Sequence, residues 1–252
     1  MFKKNVIVQG LSVSYYQKGA SDNGACVVFL HGWGSQALHF AETLKKCDNF
    51  IAIDLPGFGS SEAPEKAWGI LDYAIFLDNF LKKINLGNLI LVGHSFGGSV
   101  IIKYGSLNKK VKKIILISSA GTRRKSLRTV LCGVFAKIFK VFFNLPGLGV
   151  LKNKARRKLY KAIGSEDYIN SRELKETYKK IIKEDLKEDL KRIKAETILI
   201  WGDKDKETPI KDGLIMNKLI KKSKMFAIKN AGHYVFLDKK KEFNKIFLEQ
   251  IK

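Results

Sequence analysis

Cysteine, proline and acidic side chains are all sparse in this chain of 252 residues. The three cysteines, Cys26, Cys47 and Cys132, are an odd number without C-x-x-C spacing, so neither a disulfide framework nor a zinc site is indicated and a reducing compartment is expected. With 21 glycines and 4 prolines, the composition excludes collagen and low-complexity chains. No uninterrupted apolar run is long enough to cross a bilayer. The most apolar window, residues 129–151, is broken by Lys137, Lys140 and Pro146, and charges near the centre of a span are costly. The first ten residues contain too short an apolar stretch for a signal peptide, so a cytoplasmic location is expected.

Hydrophobic residues make up 45% of the chain, enough for one large core and too few for two independent ones. Lys plus Arg is 47 against 24 Asp plus Glu, a net charge of +23. Residues 122–192 hold 20 basic and 8 acidic side chains, about half of that excess, and residues 123–161 contain twelve basic residues and no acid. Such a run creates a positive local potential if its side chains share a face, which makes an anionic membrane, nucleic acid and acidic substrates candidate partners. No nucleic-acid-binding motif accompanies the charge, so a nucleic-acid partner is not expected.

Short continuous apolar runs occur at residues 27–30, 50–53, 89–92 and 114–117, an alternating run occupies 12–15, and the strand signal returns at 197–201 and 225–228. Continuous runs suit strands buried on both faces of a parallel sheet. Between them Ile70, Ala74, Leu77, Leu81 and Ile84 recur at helical spacing, residues 97–106 suit a helix, and Phe243, Ile246, Phe247, Gln250 and Ile251 suggest a closing one. The alternation predicts an α/β fold. It is interrupted over residues 122–192 by basic, helical sequence, which predicts a core of 1–121 and 193–252 carrying an inserted helical cap.

The sharpest local signal is Gly93-His94-Ser95-Phe96-Gly97-Gly98, between a predicted strand and a predicted helix. This fits Gly-x-Ser-x-Gly in the context that the chemistry requires. A serine on a tight strand-to-helix turn projects its hydroxyl above the sheet, and small residues two positions either side let neighbouring backbone pass close by. After the strand at 27–30 comes His31-Gly32-Trp33-Gly34, whose backbone can turn toward the serine. The N–H groups of Trp33 and Phe96 are the expected oxyanion hole. Residues 54–61, Asp-Leu-Pro-Gly-Phe-Gly-Ser-Ser, form a shaped loop beside the same sheet end.

With HGWG, DLPGFGSS, GHSFGG, WGDKD and a late AGH in this order, the chain resembles the α/β-hydrolase fold superfamily, in particular serine esterase, lipase or C–C hydrolase members with a helical cap. The resemblance implies an eight-stranded, mostly parallel sheet flanked by helices, with the cap after the sixth strand. His233 matches the family's base and Ser95 its nucleophile. For the acid, Asp203 and Asp205 compete; the family's spacing maps the role onto Asp205 and leaves Asp203 as a turn-capping residue. Chain order is then Ser95, Asp205, His233, as the fold requires.

This set implies a serine hydrolase that needs neither metal nor organic cofactor. A small-molecule carboxylic ester or other acyl compound is the expected substrate. C–C bond hydrolysis on the same fold is the alternative, and a catalytically silent ligand-binding or membrane-associated protein is another. Dehalogenases of this fold use aspartate where Ser95 stands. In the cap, Val130, Leu131, Val134, Phe135, Ile138, Phe139, Phe142 and Phe143 form a helical apolar face, expected to line an acyl pocket or, with its basic flanks, to rest on an anionic membrane.

Overall fold

The computed structural model describes residues 1–19, 25–86, 88–108, 111–123 and 174–251. Its centre is an eight-stranded sheet built from β1 (Phe2–Val8), β2 (Leu11–Lys18), β3 (Cys26–Leu30), β4 (Phe50–Ile53), β5 (Leu89–His94), β6 (Lys113–Ile117), β7 (Glu196–Gly202) and β8 (Ser223–Ile228). The spatial order is β1-β2-β4-β3-β5-β6-β7-β8. Only β2 runs against its neighbours; every pair from β4 through β8 is parallel.

Each continuous apolar run splits between the two sheet faces, because successive side chains on a strand point to opposite sides. Val28, Leu30, Leu91, Ile114, Leu116, Leu199 and Trp201 join one core. Val27, Phe29, Ile90, Val92, Ile115, Ile117, Ile198 and Ile200 join the other. On the first face lie α2 (Ile70–Lys83) and α3 (Phe96–Leu107), while the short α1 (Ala41–Leu44) puts Leu44 into the second core. On the second, Phe243 and Phe247 of the C-terminal helix stack at 5.6 Å, and Phe247 reaches Phe29 at 5.7 Å. Burying side chains of this size is worth about 1.5–3 kcal/mol each, so both faces drive folding.

The segments at the edge of the expected cap are tied to this core. In α4 (Lys175–Ile181) Thr177 Oγ1 accepts a hydrogen bond from Trp68 N at 3.1 Å; in the turn after α4, Glu184 Oε1 accepts one from Ile70 N at 2.8 Å at the start of α2. Beyond it, α5 (Lys187–Arg192) packs on α3, where Asp189 pairs with Lys103 Nζ at 2.6 Å and accepts Ser106 Oγ at 2.8 Å. The apolar face expected at 130–143 and nearly all of the basic run fall on residues 124–173, outside the described residues. Among the described residues no helix is long and apolar enough to cross a membrane.

Candidate active site

Parallel strands place all their C-terminal ends on one edge of the sheet, and the loops leaving those ends converge there. Ser95 follows β5, the Gly32-Trp33 turn follows β3, Asp205 follows β7, and His233 follows β8. Ser95 stands at φ 50 and ψ −114, a conformation that L-residues avoid. Close approach explains the small neighbours. A Cβ on Gly93 would lie 2.6 Å from Gly98 N, and one on Gly97 would lie 2.4 Å from the carbonyl oxygen of Leu30.

Behind Ser95 the first turn of α3 leaves N–H groups without intrahelical acceptors and carries the positive end of the helix dipole. The Gly32-Trp33 turn presses on this elbow: a Cβ on Gly32 would meet His94 Nδ1 at 2.9 Å and Ser95 Cβ at 3.3 Å. Trp33 packs on Phe96 at 5.4 Å, on Phe58 at 4.9 Å and on Tyr178 of α4 at 5.1 Å, so an aromatic wall borders the site.

Asp205 and His233 are both buried, and His233 Nδ1 lies 2.9 Å from Asp205 Oδ2. The other carboxylate oxygen accepts the backbone N–H groups of Glu207 and Thr208 at 2.9 and 3.0 Å, while Thr208 Oγ1 sits 2.9 Å from Oδ2. Burial alone would raise the Asp205 pKa. The hydrogen bond and charge of His233, with the Thr208 N–H, outweigh it and hold the carboxyl below its ordinary value. Asp203 is exposed on the same turn. Of the two competing carboxylates, the structure brings Asp205 to the imidazole.

Among the described residues Ser95 Oγ makes no hydrogen bond, and His233 Nε2 lies 3.3 Å from Glu207 Oε2. Resting sites often hold their reacting groups loosely and tighten on substrate.

The remaining histidines are structural. His31 Nδ1–H donates to the Gly32 carbonyl at 2.7 Å and Nε2 accepts Leu55 N–H at 3.0 Å, so both ring nitrogens are used in the neutral form; burial pushes its pKa down to about 4. His94 Nε2–H donates to the His233 carbonyl at 3.1 Å, and burial, with the nearby His233, lowers its pKa to about 3. His39 Nδ1 meets Ser35 Oγ at 2.5 Å. Three residues that the sequence did not single out, Glu207, Thr208 with Oγ1 3.2 Å from Nδ1, and His94 as a support of His233, thus touch the imidazole or its backbone. None was marked by a signal of its own. Glu207 looks like any exposed glutamate, and His94 is masked by the serine beside it.

Residues 26–240 match the family model described as alpha/beta hydrolase fold. The chain belongs to that family. It is 26% identical over 246 residues to the uncharacterized hydrolase YugF of Bacillus subtilis, covering 90% of each chain. It is 24% identical over 269 residues to a 2-hydroxy-6-oxononadienedioate/2-hydroxy-6-oxononatrienedioate hydrolase of Burkholderia vietnamiensis, covering 97% of this chain and 93% of that one. Among solved structures, an esterase from Exiguobacterium antarcticum superposes with a TM-score of 0.77 at 21% identity, with 99% of both chains covered. Family membership accounts for the sheet order and the elbow; the same fold carries esterase and C–C hydrolase names, so the fold does not choose between them.

Proposed function

We propose that this alpha/beta hydrolase family member is a serine hydrolase that cleaves a carboxylic ester through an acyl-enzyme on Ser95. The observation that carries the reading is the 2.9 Å contact of Asp205 Oδ2 with Nδ1 of a buried imidazole, at the sheet edge where Ser95 stands at φ 50. His233 Nε2 takes the Ser95 Oγ proton as Oγ bonds to the substrate carbonyl carbon. The carbonyl oxygen becomes an oxyanion that accepts hydrogen bonds from the N–H groups of Trp33 and Phe96, each worth roughly 2.7–4 kcal/mol in such holes. Collapse breaks the ester C–O bond, and the leaving alkoxide takes the proton from His233. Water, deprotonated by the same nitrogen, then attacks the acyl carbon, and the acid leaves as Ser95 regains its proton. Asp205 keeps the proton of Nδ1 in place throughout, which leaves the Nε2 lone pair for Ser95.

A second reading, C–C bond hydrolysis, draws support from the Burkholderia vietnamiensis relative, which spans nearly the same length. The test is labelling with a fluorophosphonate probe, followed by a series of aryl esters of increasing acyl length. Wild type is expected to label and Ser95→Ala to stay unlabelled. Equal labelling of both, or none of wild type, sinks the proposal, and a folded enzyme that ignores every ester but cleaves a vinylogous 1,5-diketone favours the second reading.

A further inference from the structure

The nitrogen that must serve Ser95 faces a second carboxylate. Asp205 takes Nδ1–H at 2.9 Å, while Glu207, two residues along the same turn, holds Oε2 3.3 Å from Nε2. A carboxylate at that distance is favourable only if Nε2 bears a proton; against the lone pair of a neutral imidazole it is repelled. The contact therefore belongs to the imidazolium, and a neutral base requires the Glu207 arm to turn outward. Its side chain is 59% exposed, so the turn is sterically open. Nε2 is also the atom that hands a proton to the departing alkoxide, so the space beside it is where the alcohol portion of an ester lies.

Resting on the ester reading above, we infer that Glu207 selects the charge of the leaving alcohol, favouring esters of cationic alcohols and rejecting those of anionic ones. Two electrostatic effects oppose each other. The net charge of +23 attracts anions at long range, but such attraction between exposed charges is screened beyond about 8 Å at physiological salt. A carboxylate within contact distance of the bound alcohol is screened much less and decides the preference. The same feature weighs against substrates carrying a carboxylate on the leaving side.

Esters of one short acyl chain with choline, with its uncharged carbon isostere and with a sulfonated alcohol of similar length test the inference. The readout is the ratio of kcat/KM for the cationic over the anionic ester, taken within each enzyme so that any general loss of rate cancels. Wild type is expected to exceed Glu207→Gln in this ratio by about tenfold, as one partly screened charge pair requires, and Glu207→Lys is expected to reverse the preference. Ratios that agree within about twofold across the three proteins overturn the inference. Fluorophosphonate labelling of Ser95 runs in parallel. Labelling with a flat ratio removes the role of Glu207 alone, whereas absent labelling and turnover in wild type removes the ester reading and this inference with it.

Discussion

His94 Nε2–H donates to the carbonyl oxygen of His233 across 3.1 Å, with the two rings 4.7 Å apart. The residue that precedes Ser95 on the elbow thereby anchors the backbone of His233, the proposed base. The proposed nucleophile and the proposed base are thus linked through the backbone and one buried side chain.

His94→Leu is expected to lower kcat by about a hundredfold with little change in KM, since a misplacement of about 1 Å costs that much. His94→Gln, which restores an N–H donor, is expected to recover a part of the loss. A KM-only effect, or no recovery in a folded protein, would assign His94 to packing alone.

Asp205→Asn is expected to lower kcat by about 10³–10⁴-fold, because an amide no longer stabilises the imidazolium or fixes its tautomer. Asp203→Asn, on the exposed side of the turn, is expected to stay within about threefold, as surface changes usually do. Steady-state kinetics on one aryl ester compares them; an inverted order would move the acid to Asp203.

Stability is expected to fall as pH drops from about 6.5 toward 4. Above that window His31 and His94 are neutral in both folded and unfolded chains. Within it the unfolded chain binds protons at the ordinary histidine value, while burial keeps the folded chain from binding them until about 4 for His31 and about 3 for His94. The unfolded state then holds more protons, so the slope of unfolding free energy with pH is positive and approaches about 2.7 kcal/mol per unit for two groups. The lowered Asp205 carboxyl adds a loss of the same sign as pH falls below its ordinary value of 3.8. Urea midpoints between pH 7.5 and 4.5 measure this, and a flat midpoint would remove the buried neutral histidines as its cause.

Much of the fold was legible because its strands are buried on both faces and so read as unbroken apolar runs. Strand β1 was not, since it lies on the sheet edge with most of its side chains exposed. Its hairpin turn, Gln9-Gly10 with φ of 53 and 81, also lacks the usual Asn-Gly or Asp-Gly signature. The role of Asp54 was legible only as a shaped loop: its buried carboxylate accepts Ala37 N–H at 2.8 Å and Ser60 N–H at 3.0 Å, pinning the segments around the site. The turn at 202–205 offered two aspartates. Two residues apart, Asp203 is exposed and Asp205 buried, and local sequence does not fix which of them turns inward.

By itself the sequence determined the units whose causes are local: strands from apolar runs, the serine turn from the glycines around it, and the chain order of the candidate residues. Their meeting was decided by the tertiary structure. Crossovers between parallel strands carry side chains 139 positions apart, such as His94 and His233, to one sheet edge. The carboxylate of Glu207 at Nε2 belongs to the same category, because an exposed side chain takes its role from what happens to stand opposite it, and no short-range preference encodes that neighbour.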